Sequence, residues 1–141
     1  MARSAEMLRY QLRHDPDVVG RIEAAEALGK KADPASLEAL IAALREEPFW
    51  AVREAISEAL AAQKDSRALD ALSETLGAAN EAKVRRALAH ALGAFRAPEQ
   101  SELAERAAAT LSAVLEGDEQ SYQVKAAAAA ALGRTRTAGA F

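Results

Sequence analysis

Arg21, Arg53, Arg85 and Lys125 each stand seven residues before a leucine: Leu28, Leu60, Leu92 and Leu132. Three of the four follow an acid by six residues, namely Asp15, Glu47 and Glu119, whereas the third interval holds Ala79 with Asn80 beside it. A cation in the first turn of a helix opposes the helix dipole. It therefore calls for a partner, and a carboxylate or the carbonyls of the preceding turn would supply one. Repeated down the chain, such pairs would form a structural ladder of Asp15, Arg21, Glu47, Arg53, Arg85, Glu119 and Lys125. A basic stripe that binds phosphates is the alternative use of the same cations.

Other reactive groups are sparse. There is no Cys, which removes thiolate catalysis, disulfides and Cys-ligated zinc together. A catalytic zinc needs about three converging ligands, and the two histidines, His14 and His90, fall two repeat units apart. No Ser or Thr has a His at a useful helical spacing, so no nucleophile–base pair is expected. "LEGDEQ" (115–120) is acidic but lacks the alternating ligands of a calcium loop and reads as a turn. The sequence assigns no catalytic, metal-binding or cofactor-binding residue, and the chain is read as a non-enzyme.

The elements that would position these residues repeat. "GRIEAAEALG" (20–29), "VREAISEALA" (52–61), "VRRALAHALG" (84–93) and "VKAAAAAALG" (124–133) align, their leucines spaced 32, 32 and 40 apart. Between them, "SLEALIAAL" (36–44) and "ALDALSETL" (68–76) carry leucines at the same 32-residue offset. Apolar residues recur at helical spacing in both segment types, and no useful length alternates with period two. The expected fold class is all-α: an α-solenoid of four antiparallel helix pairs. The pairs are placed at 4–13/17–30, 34–46/49–63, 66–78/81–95 and 98–116/121–134, within repeats 1–30, 31–63, 64–95 and 96–134. Asp33 and Asp65 read as N-caps, Gly29, Gly93 and Gly133 as helix ends. The eight extra residues of the last interval are expected to lengthen its first helix, with Pro98 in the first turn. The tail 135–141, within "RTRTAGAF", has no periodicity and is read as flexible.

In stacked pairs the second helices line the inner face. One and five residues beyond each basic position lie Ile22/Glu26, Glu54/Glu58, Arg86/His90 and Ala126/Ala130, a stripe that runs from acidic to basic to apolar. A protein or peptide of complementary charge order could lie along it, the alternative being a solvated surface without a partner. Trp50 and Tyr122 occupy the same repeat position and are expected to pack between repeats. Phe49 stands where the other repeats are polar and is a candidate contact.

Pro or Asp before the first helix, Val-Arg/Lys opening the second and Ala-Leu-Gly closing it together resemble HEAT repeats, which are known for such charge ladders. "YQLRHDPDVVGRIEAAEALGK", "EEPFWAVREAISEAL" and "AKVRRALAHALGAF" further resemble the HEAT-like C-terminal region of bacterial M1-family metallopeptidase homologues. That resemblance implies a helical domain following, or bracing, a zinc peptidase domain. The His-Glu-x-x-His and Gly-x-Met-Glu-Asn motifs of that family are absent, so no catalytic residue transfers. A free-standing adaptor similar to the bilin-lyase HEAT family is the alternative. Some HEAT-like solenoids cradle DNA in a basic concave face, but here Glu23, Glu26, Glu54 and Glu58 interrupt the arginines. Formal charge is −3 and the pI about 5.5, which gives no overall attraction to nucleic acid or anionic membrane. With no signal peptide and no long apolar run, a cytoplasmic protein is expected, either free-standing or as a piece of a larger one.

Overall fold

The computed structural model describes residues 3–136. Eight helices follow in order: α1 (Ala5–His14), α2 (Val18–Gly29), α3 (Pro34–Glu46), α4 (Trp50–Gln63), α5 (Ser66–Ala78), α6 (Ala82–Leu92), α7 (Ser101–Glu116) and α8 (Tyr122–Thr135). Among the described residues there is no strand. Side-chain caps start five of the helices: Ser4, Asp17, Asp33, Asp65 and Ser121 each accept a first-turn N–H. The N–H and hydroxyl of Ser36 hold the Asp33 carboxyl below its ordinary range.

The chain is an α-solenoid of four antiparallel helix pairs. Successive even helices pack on one another, as do successive odd helices, and each pair packs internally. Contact is closer in the even layer, where buried alanines, Ala24, Ala25, Ala55, Ala59, Ala89, Ala91, Ala128 and Ala131, alternate with larger residues such as Leu28, Ile56, Leu60 and Leu88. The odd helices turn Leu8, Leu12, Leu37, Leu40, Leu44, Leu69, Leu72, Leu76 and Leu111 into the same continuous core. Small side chains let backbones approach, and the leucines of the other layer seal what remains.

Gly29 and Gly93, after two of the repeat leucines, serve this approach rather than left-handed helix ends. No described glycine has positive φ; the residue that does is Lys64, at the end of α4 (φ 52°). A Cβ on Gly29 would lie 2.9 Å from both Cα and Cβ of Ala59 on α4. Gly133 falls inside α8 rather than at its end. Gly29→Val is therefore expected to destabilise the chain by about 1–3 kcal/mol through overpacking, measurable as a lowered urea midpoint.

The last repeat departs from expectation. α7 begins at Ser101 instead of 98 and has 16 residues against 13 in α3 and α5, so most of the extra length forms the connection 93–100. Hydrogen bonds pin that connection: Ala97 N–H donates to the Thr135 carbonyl and the Gln100 amide to the Lys64 carbonyl. Pro98 lies in it, outside the helix. Trp50 packs against the core, but Tyr122, expected to do the same, is 82% exposed. Trp50 is covered by Lys83 from the next repeat, 4.5 Å from its ring centroid; no described repeat follows Tyr122. The expected tail boundary also shifts, since Thr135 ends α8 with its side chain buried. Arg136 caps that helix, and residues 137–141 of the tail lie outside the described residues.

Candidate functional site

Two constellations arise from the repeat, one along the turns and one on the even-helix face. At the turns, Arg21 donates from Nη1 to the Asp15 carbonyl (2.9 Å) and from Nε and Nη2 to the two carboxylate oxygens of Glu47 (2.9 and 3.2 Å). Arg85 repeats this arrangement. It donates to the carbonyls of Leu76 and Ala79 and pairs with Glu119 at 2.7 Å. The acids are nearly sealed from solvent, at 6% and 8% side-chain exposure, so these are low-dielectric pairs rather than surface ones.

The partner is not the acid six residues earlier. Each arginine takes the carbonyl of its own turn and the carboxylate of the following turn. The acids are oriented for this because each also accepts the N–H two residues on: Asp15 from Asp17, Glu47 from Phe49, Glu119 from Ser121. Burial raises the Glu119 pKa, but the Ser121 N–H, the Arg85 hydrogen bond and the charges of Arg85 and Lys125 outweigh it. The carboxyl is held below its ordinary value of 4.5. Lys125 itself is exposed and acts on Glu119 through space.

Arg53 breaks the series. The turn ahead of it carries Ala79, and the Arg53 Nε is buried without a hydrogen-bond partner, alone in this among the described side-chain polar atoms.

On the even-helix face, Glu54 and Glu58 of α4 face Arg86 and His90 of α6 across a groove of about 250 Å³, floored by Ala87 and Ala127. None of these four side chains forms an ion pair, so the groove has carboxylates on its α4 side and Arg86 and His90 on its α6 side, with no direct contact between them. Arg134 donates to Nδ1 of His90 at 3.1 Å. A guanidinium can only donate, so Nδ1 is the acceptor and the ring proton of a neutral His90 sits on Nε2. Ile22 and Glu26 do not line this groove: Ile22 is half-buried against the core and Glu26 is exposed on α2. Phe49 is 40% exposed at the turn before α4, beside Trp50 with ring centroids 6.0 Å apart. It too is outside the groove.

A larger recess of about 450 Å³ lies between α1 and α3, where Arg9 and Arg13 overlook Ala39, Ala42 and Ala43. The sequence signal for it was small residues on the face of α3 opposite α1, which helical periodicity alone reads as ordinary stacking. His14 packs against Tyr10, with ring centroids 4.4 Å apart, far along the chain from His90. Among the described residues no three His, Asp or Glu side chains gather as a metal site, and no helix is long and apolar enough to cross a membrane.

The family profile described as HEAT repeats matches residues 5–93. A comparison with curated proteins returns no match. Among solved structures, the chain is similar to one in the complex of CpcE and CpcF of phycocyanin lyase from Nostoc sp. PCC7120, with 21% identity and a TM-score of 0.58. The likeness covers 96% of this chain and 66% of that one. At this identity it shows the fold alone.

Proposed function

The chain belongs to the HEAT-repeat family, and from that premise we propose that it is a non-catalytic adaptor that binds a protein segment along its even-helix face. The observation that carries this reading is the groove with Glu54 and Glu58 on one wall and Arg86 and His90 on the other. Buried ladder acids are already paired, whereas these charges are free to meet a partner. The space is open and smaller than a typical small-molecule pocket of ~300–1,000 Å³, which suits side chains of an extended segment better than an enclosed ligand. The similarity to a chain from a two-protein complex supports a protein partner. The likeness to a chain of phycocyanin lyase supports the adaptor reading over that of a helical domain bracing a peptidase. A cytoplasmic location accords with this role.

Charge order gives the test. A peptide with Lys and Arg over α2 and α4, Asp and Glu over α6 and apolar residues over α8 should shift the amide resonances of α4 and α6. The reversed peptide should not. Glu58→Lys is expected to weaken the first peptide at least tenfold, about 1.4 kcal/mol. Its melting temperature should stay within about a degree of the parent, as for an exposed, unpaired position. An equal response to both peptides would sink the charge-order reading.

A further inference from the structure

Every other described turn between the helices of a pair carries an acid with two duties: its carboxylate accepts the N–H two residues on and, where a repeat precedes, the preceding arginine. In the turn between α5 and α6 the equivalent residue is Ala79. Its backbone is set as at the other acids, with φ −72° and ψ 140° against −64° and 121° at Asp15 and −69° and 122° at Glu47. Only the carboxylate is missing from the residue. Two donors have no acceptor among the described residues: the buried Nε of Arg53 and the N–H of Glu81, which lies at an exposed residue. The Arg53 terminal nitrogens keep access to solvent, since Nε alone is sealed without a partner.

The surroundings favour a side chain over a bare ion. Trp50 lies one helical turn before Arg53, Phe49 is 40% exposed beside it, and Lys83 of α6 sits over the Trp50 ring. Lys83 and an aromatic flank thus stand together here, and Arg53 holds the repeat position from which Arg21 reaches Glu47 and Arg85 reaches Glu119, each at its following turn. We propose that this incomplete rung is a docking site for an acidic side chain of a partner protein. The Asp or Glu supplies the carboxylate that Ala79 lacks, bridging Arg53 and the Glu81 N–H, while apolar residues beside it pack on Phe49. A charge-assisted, two-donor contact of this kind gives both affinity and register. The site rests on the adaptor reading only for the source of the acid; the donors are present whatever the groove does.

The experiment uses the full chain and its single tryptophan. Titration with acetyl-Leu-Glu-Leu-amide should change Trp50 emission and shift the Glu81 amide resonance. The Leu-Gln-Leu counterpart should bind at least tenfold more weakly. Arg53→Gln and Ala79→Glu should each abolish the response, the first by removing the donor and the second by completing the rung from within. Ala79→Glu should also raise the melting temperature by ~2–5 °C. Arg53→Gln should leave it nearly unchanged, because no hydrogen bond is lost. Glu58→Lys should bind the acidic peptide normally, which separates this site from the groove. Equal binding of the two peptides, or an unchanged melting temperature in Ala79→Glu, would overturn the proposal. Acetate or phosphate binding as tightly as the peptide would also overturn it, by showing a free-anion site instead of a dock.

Discussion

Replacing Phe95 by alanine is expected to cost about 3–5 kcal/mol and to release the fourth helix pair before the others. Phe95 is the bulkiest fully buried side chain among the described residues, and it sits in the connection 93–100 that joins the third pair to the fourth. Truncation there removes core volume at a junction whose helices cannot collapse freely, because Gly93 already lies against α8: a Cβ on it would be 3.0 Å from the Ala131 Cα. In a solenoid each pair touches only its neighbours and adds that contact to its own internal packing, so a weakened junction uncouples what lies beyond it. Native-state hydrogen exchange should show α7 and α8 losing protection while α2 and α4 keep theirs. Uniform loss along the chain would mean that the four pairs unfold as one unit.

The second large effect is expected at the same junction from Arg85→Ala, at about 3 kcal/mol. The substitution leaves Glu119 buried with only the Ser121 N–H and a distant Lys125, and strips the Leu76 and Ala79 carbonyls of their donor. Arg53→Gln, at the matching position one repeat earlier, should be nearly silent, so the contrast isolates the rung from the residue type.

The pair also predicts a pH signature. The Glu119 pKa is lowered on folding, because the Ser121 N–H and the Arg85 and Lys125 charges outweigh the burial that raises it. Its contribution is therefore fully present above the ordinary value of 4.5 and is lost as pH falls through the lowered folded value. The parent chain should lose unfolding free energy as pH drops from about 5 to about 3, and Arg85→Ala should lose less over that window. Parallel pH curves for parent and variant would place the stabilisation of Glu119 elsewhere.

The candidate site was partly legible in the sequence. Glu54, Glu58, Arg86 and His90 could be placed on one groove because each is one or five residues beyond a recurrent base. Such spacing selects one side of a helix whatever lies opposite. Ile22 and Glu26 share the same spacing but fall outside the groove, because depth depends on what the neighbouring helices offer. Tyr122 shows the same limit. It shares the Trp50 position yet is exposed, since burial there needs the next repeat to supply a cover such as Lys83.

The amino-acid order by itself determined eight helices in four pairs, the acid and base positions of the turns, and the side of α4 and α6 on which Glu54, Glu58, Arg86 and His90 stand. All follow from short-range rules: a 3.6-residue period, capping side chains at Asp33 and Asp65, and a repeat of 32 residues. Only the tertiary structure decided that Arg21 reaches Glu47 and Arg85 reaches Glu119, one repeat onward, and that Gly29 is a contact with Ala59. The same holds for the Phe95 connection and for Arg53, left without an acid opposite Ala79. These depend on how far apart neighbouring repeats stand and which way each turn presents its groups, distances that periodicity along the chain does not encode.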